Sequence, residues 1–123
     1  MNKEDWFNYL EKIAEKLNNY PDCADIFEGI GEITFLYKVT DKPEFTFNQE
    51  YTGSKMIIHQ GEIENATVTH IMEFDTIKGV FAGTTNPIEE TAKGNYTVEG
   101  NTAKLLKAAG LLPYIKKAHS EIS

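Results

Sequence analysis

Residues 83–101 read Gly83-Thr84-Thr85-Asn86-Pro87, then six residues, then Gly94-Asn95-Tyr96-Thr97-Val98-Glu99-Gly100-Asn101. Each landmark has a physical meaning. Gly83 stops the helix predicted before it. Pro87 presets the φ angle of a helix start, and Asn86 is placed to cap it. Gly94 and Gly100 bound a short strand at points where the chain turns sharply, with Tyr96 and Val98 alternating with Thr97 and Glu99 between them. Gly100-Asn101-Thr102 then launches another helix, read from 103 to 109. These residues build a scaffold rather than a phosphate-cradling loop.

Upstream of this stretch the chain changes period twice. Trp6, Leu10, Ile13 and Leu17 recur at helical spacing, predicting an amphipathic helix over 3–19 that ends before Pro21. A short turn or helix follows through Phe27, broken by Gly29-Ile30-Gly31. From Glu32 the period is two: Ile33, Phe35, Tyr37 and Val39 alternate with Glu32, Thr34, Leu36 and Lys38. Phe45, Phe47, Gln49 and Tyr51 mark a second strand, Met56 and Ile58 a third, and Val68, His70 and Met72 a fourth. The turn signals Asp41-Lys42-Pro43, Thr52-Gly53-Ser54 and Gly61 argue for three hairpin-like links and an antiparallel meander. A helix then starts with Asp75 as N-cap and carries Ile77, Val80 and Phe81 on one stripe. After Gly110, a last helix restarts at Pro113, with Leu111, Ile115, Ala118 and Ile122 on one side. No repeat or linker interrupts 1–123, so a single domain is expected.

Composition bounds the function. The chain has 123 residues, 41% apolar and 25% charged, enough to bury a core. No apolar run approaches the roughly 20 residues of a membrane span. The start, Met1-Asn2-Lys3-Glu4-Asp5-Trp6, has no signal-peptide character, and Cys23 is alone. A cytoplasmic setting is therefore expected. The net charge of −7 argues against nucleic acid as a partner. All the basic residues are lysine, which removes bidentate guanidinium recognition of phosphate or carboxylate. Residues 1–92 carry a net −10 and residues 93–123 a net +3. Lys104, Lys107, Lys116 and Lys117 read as a solvated helix face; beside Leu105, Leu106, Leu111 and Leu112 they also fit a surface touching anionic headgroups.

The glycine, Asn-Pro and Gly-Asn register of residues 83–101, with the order of elements around it, resembles the sterol carrier protein family over about residues 27–115. The resemblance implies an α+β fold: a mixed, largely antiparallel five-stranded sheet with helices covering one face. Between sheet and helices it implies an apolar tunnel for fatty acid, fatty acyl-CoA, sterol or phospholipid, closed by the C-terminal helices. Inward strand faces and helix stripes then supply candidate ligand contacts at Phe35, Tyr37, Phe47, Met56, Val68, His70, Val80, Phe81, Leu105, Leu106, Ala109, Leu112 and Ile115. His70 departs from the family, which usually has an apolar residue there, and the tail after Gly110 matches it only loosely.

Chemistry-bearing residues are sparse. His70 lies between Val68 and Met72 on the inward face, either as a core histidine with one hydrogen-bond partner or as a polar handle for a lipid carboxylate or hydroxyl. His59 and His119 read as solvated, and no histidine–carboxylate set has metal-ligand spacing. Cys23 sits beside Asp22 and Asp25, whose charges raise a thiol pKa rather than activate it. Glu89-Glu90 and Glu62/Glu64 read as solvated pairs, and Tyr37, Tyr51, Tyr96 and Tyr114 as aromatic core by default, with pocket-lining hydroxyls the alternative. The expectation is therefore a non-enzymatic lipid carrier without a cofactor. Two rivals stand beside it: an accessory module docking to a separate enzyme, and a small enzyme using His70 with a tyrosine.

Overall fold

The computed structural model describes residues 1–122. Helix α1 spans Lys3–Asn19, capped by the Asn2 side chain accepting from the Asp5 amide at 2.8 Å. Its stripe of Trp6, Leu10, Ile13, Ala14 and Leu17 is buried, as the spacing predicts. Trp6 organises that stripe. Its ring packs edge-on against Phe47 and Phe74, and its Nε1 donates to the Phe45 carbonyl at 3.1 Å. Helix α2 (Cys23–Ile30) leads into strand β1 (Glu32–Val39), and β2 (Phe47–Thr52) and β3 (Met56–Gln60) follow. Phe45, read as part of β2, belongs instead to a 3₁₀ turn over Pro43–Phe45: Pro43 lacks the N–H of a ladder residue and favours the turn.

The sheet order is β3-β2-β1-β4-β5, where β4 is Val68–Met72 and β5 is Tyr96–Gly100. The pairs β1–β2, β2–β3 and β4–β5 are antiparallel, and β1–β4 is parallel. This is the expected mixed sheet, but it corrects the meander. The link from β3 is no hairpin: residues 61–67 travel from one edge of the sheet to the far side of β1. They cross the face opposite the helices. Asn48 Nδ2 donates to the Gly61 carbonyl at 3.0 Å, Lys38 pairs with Glu62 at 3.4 Å, and the Thr67 amide donates to the Thr34 carbonyl at 2.9 Å. Asn48, Lys38 and Thr34 all point to that outer face. The crossing explains why Leu36, on the outward register, is only 6% exposed. Turn signals mark where a chain bends and not which edge it bends toward.

Helix α3 (Phe74–Ala82) is capped differently from the reading that placed Asp75 there. Asp75 lies in the first turn, Glu73 occupies the cap position without a side-chain bond, and Asp41 Oδ1 accepts from the Phe74 amide at 2.8 Å. Gly83 ends α3 at φ +78°. Helix α4 (Pro87–Ala92) starts as predicted, with Asn86 accepting from the Ile88 and Glu89 amides. Asn101 caps α5 (Thr102–Ala108) in the same way. The chain then passes through a 3₁₀ turn over Ala109–Leu111 into α6 (Leu112–Ile122), so Leu111 precedes the last helix rather than belonging to it. All helices lie on the inward face of the sheet. Helix α1 packs on β3, α2 on β2, α5 on β4 and α4 on β5, while α6 lies against α1 and α3.

Candidate ligand cavity

A row of inward side chains crosses the sheet at one level. The register pairs Phe47 with Tyr37, Tyr37 with His70, and His70 with Val98. The three aromatic rings stack in parallel, Tyr37 to Phe47 at 4.6 Å and Tyr37 to His70 at 4.2 Å, each at 7°. Tyr96 lies diagonally from His70 and brings its hydroxyl to 2.7 Å from His70 Nδ1. Burial holds the His70 ring neutral, with its pKa pulled down to about 3, and raises the Tyr37 and Tyr96 hydroxyls well above their ordinary value.

Above this row the helices leave a cavity of about 190 Å³. Its floor is Phe35, Tyr37, Tyr51, His70, Tyr96 and Val98. Its walls come from Ile77, Val80 and Phe81 of α3, from Pro87, Ile88 and Thr91 of α4, and from Leu105, Leu106, Ala108, Ala109, Leu111, Leu112 and Ile115 at the C-terminal end. Among the described residues no charged one lines it. Ile88 and Leu106 are 79% and 76% exposed, so the cavity reaches the surface between α4 and α5. Large apolar side chains left in water at a cavity opening mark a route for an apolar molecule.

The expected contact residues divide by the helix above them. Phe35, Tyr37, His70, Val80, Phe81, Leu105, Leu106, Ala109, Leu112 and Ile115 surround the cavity. Phe47, Met56 and Val68 face inward and are buried, but they stand outside its walls. Phe47 is packed against Trp6 and Phe81, and the Met56 backbone is held by Asn18 of α1 at 2.9 Å on both sides. Alternation identifies the inward face, and only the packing of α1 fills half of it. Ile88 and Thr91 were missed because six-residue α4 shows no apolar stripe of its own. Ile77, Tyr96 and Val98 were legible as inward positions and were not assigned to the ligand.

The remaining candidates occupy other places. Lys104 is not part of a solvated face: its Nζ donates to the Ile30 carbonyl at 3.0 Å, closing the end of α2. The stem of Lys116 lies on Gly83, and Lys117 sits over the Tyr20 ring at 4.6 Å, whereas Lys107 projects outward. His119, read as solvated, is half-buried and meets the Tyr9 hydroxyl at 2.8 Å; His59 pairs with Glu50 at the surface. Cys23 is buried, and burial followed by Asp22 raises its thiol pKa. Among the described residues no cluster of His, Cys, Asp and Glu is arranged to hold a metal, and no helix is long and apolar enough to cross a membrane.

Residues 10–113 match the SCP-2 sterol transfer family. The chain belongs to that family. As an SCP-2 protein it shares its fold with the solution structure of sterol carrier protein domain 2 from Helicoverpa armigera, at a TM-score of 0.72 and 17% identity, covering 90% of this chain and 87% of that one. A palmitated SCP2L2 from Aedes aegypti gives a TM-score of 0.56 at 18% identity, covering 87% and 90%. A structure described as UbiJ-SCP2, a ubiquinone synthesis protein, gives 0.68 at 9% identity, covering 86% and 88%. No curated protein sequence matches the SCP-2 chain described here.

Proposed function

We propose that this SCP-2 domain binds and carries a hydrophobic small molecule (a fatty acid, fatty acyl-CoA, sterol or phospholipid) without chemically changing it, in a cytoplasmic setting. The observation that carries this reading is the uncharged, apolar cavity opening at exposed Ile88 and Leu106. Burying each methylene contributes about 0.8 kcal/mol, so a chain of about sixteen carbons supplies on the order of 12 kcal/mol gross. Losses of about 4–15 kcal/mol on association leave room for useful affinity without a strong polar anchor.

The cavity of about 190 Å³ is nearer the ~150 Å³ that accepts benzene than the ~300–1,000 Å³ of ordinary ligand pockets. Loading a whole lipid therefore requires α5 and α6 to part from α3 and α4. The palmitated state of the Aedes aegypti structure supports a fatty ligand. The same small volume, with the likeness to a ubiquinone synthesis protein, favours a second reading as an accessory module. Mass spectrometry of the organic extract, with displacement of a fluorescent fatty acid, tests the first. Stoichiometric lipid in the wild type, lost in Ala108→Phe at unchanged helical content, is the expected result. Protein that stays empty and takes up no probe overturns carriage and favours the module.

A further inference from the structure

His70 holds the one buried side-chain polar atom without a partner among the described residues, its Nε2. The residue is 3% exposed and borders the cavity. Its contact with Tyr96 decides where the ring proton sits. If the Tyr96 hydroxyl donates to Nδ1, the proton is on Nε2, and one buried group is unmet. If Nδ1 donates to Tyr96, both the phenol proton and the Nε2 lone pair are unmet. Unmet buried polar groups are disfavoured, so the first arrangement prevails. His70, a residue of the cavity floor, thus carries a buried N–H donor that lacks an acceptor and that solvent does not reach.

We propose that this donor selects the ligand: the lipid enters polar end first and presents an uncharged oxygen acceptor, as in an alcohol, ketone or ester, to His70 Nε2. The proposal rests on the lipid-binding reading above. Nε2 is itself covered, so the bond forms as the cavity widens, while the hydrocarbon tail leads out past Ile88 and Leu106. A carboxylate fits this end poorly. The groups facing the ring are Phe35 and Tyr37 of β1 with Tyr96 and Val98 of β5, and none carries a charge. Desolvation also keeps the ring neutral, so it supplies no counter-charge. The unused donor in turn penalises a plain hydrocarbon end.

Dodecanol, methyl decyl ketone, dodecane and dodecanoate have the same number of carbons, differ at one end and distinguish these cases. Displacement titrations at neutral pH should rank the alcohol and the ketone roughly tenfold tighter than the alkane and than the carboxylate, the size of one net hydrogen bond. His70→Leu should erase the preference while alkane binding persists. Because that variant changes the core, the wild-type protein gives a second readout. Nitrogen NMR should show a protonated, pyrrole-type Nε2 in the free protein that shifts on adding the ketone. Equal affinity for ketone and alkane, dodecanoate bound tightest, or an Nε2 signal unmoved by the ketone would overturn the proposal and leave lipid carriage standing. Failure of all four to bind overturns carriage as well.

Discussion

Gly100 stands at φ +109°, and a Cβ there would lie 2.3 Å from the Thr67 carbonyl oxygen. Both the backbone angle and the close approach demand glycine. Gly100→Ala is expected to lose about 2–3 kcal/mol, read as a lower urea midpoint; an unchanged midpoint would show that β4 and β5 can separate freely. At His70 the consequence is a pH dependence. Its folded pKa of about 3 lies below the ordinary 6.5, so the unfolded chain binds the extra proton between those values. Its contribution is complete above pH 6.5 and is lost as pH falls toward 3, by at most about 1.4 kcal/mol per unit. His70→Leu should flatten that part of the stability profile, and an identical slope in both proteins would place the acid sensitivity elsewhere. The inward register of His70 was legible from Val68 and Met72. Its bond to Tyr96 was not, because a diagonal contact depends on β4 and β5 being neighbours.

The helices over the cavity depend on their caps. Asn86 and Asn101 each accept from two amides of the helix that follows, and both were readable because a cap and its helix are adjacent in sequence. Helix α5 is only seven residues long and contributes Leu105, Leu106 and Ala108 to the cavity. Asn101→Ala should therefore lower stability by about 1 kcal/mol and speed amide exchange in α5 more than in α1. Uniform exchange throughout would mean that α5 does not open on its own. The cap of α3 comes instead from Asp41, thirty-three positions away. No local pattern announces such a bond, and the nearest acidic residue, Asp75, was the natural misreading.

Across the molecule, charge and exposed apolar surface converge on the C-terminal third. Residues 93–123 are net basic in an acidic chain, and Leu106 and Leu112 are exposed there. Lys107, Lys116 and Lys117 are exposed, Lys117 with its ammonium over the Tyr20 ring, while Lys104 is engaged with α2. Contact of this end with an anionic membrane would bring the cavity opening to the lipid. Co-sedimentation with anionic vesicles is expected, weakened by salt and by Lys→Gln at those three positions, at about 1 kcal/mol per lysine. Lys104→Gln should change stability more than vesicle binding. Equal binding to neutral vesicles would remove electrostatics from the account.

Periodicity located α1 and the inward faces of the strands, and local cap and turn residues located the Asn-Pro and Gly-Asn helix starts, since each is set by neighbours a few residues apart. Two things depended on the tertiary structure. The loop 61–67 carries β4 past β1 and makes that pair parallel, because the choice of sheet edge is a contest between distant strands. Helix α1 fills the space above Phe47 and Met56 and leaves the space above Tyr37 and His70 open. Alternation reports which way a side chain points; whether it meets a helix or a void is decided by where that helix comes to rest.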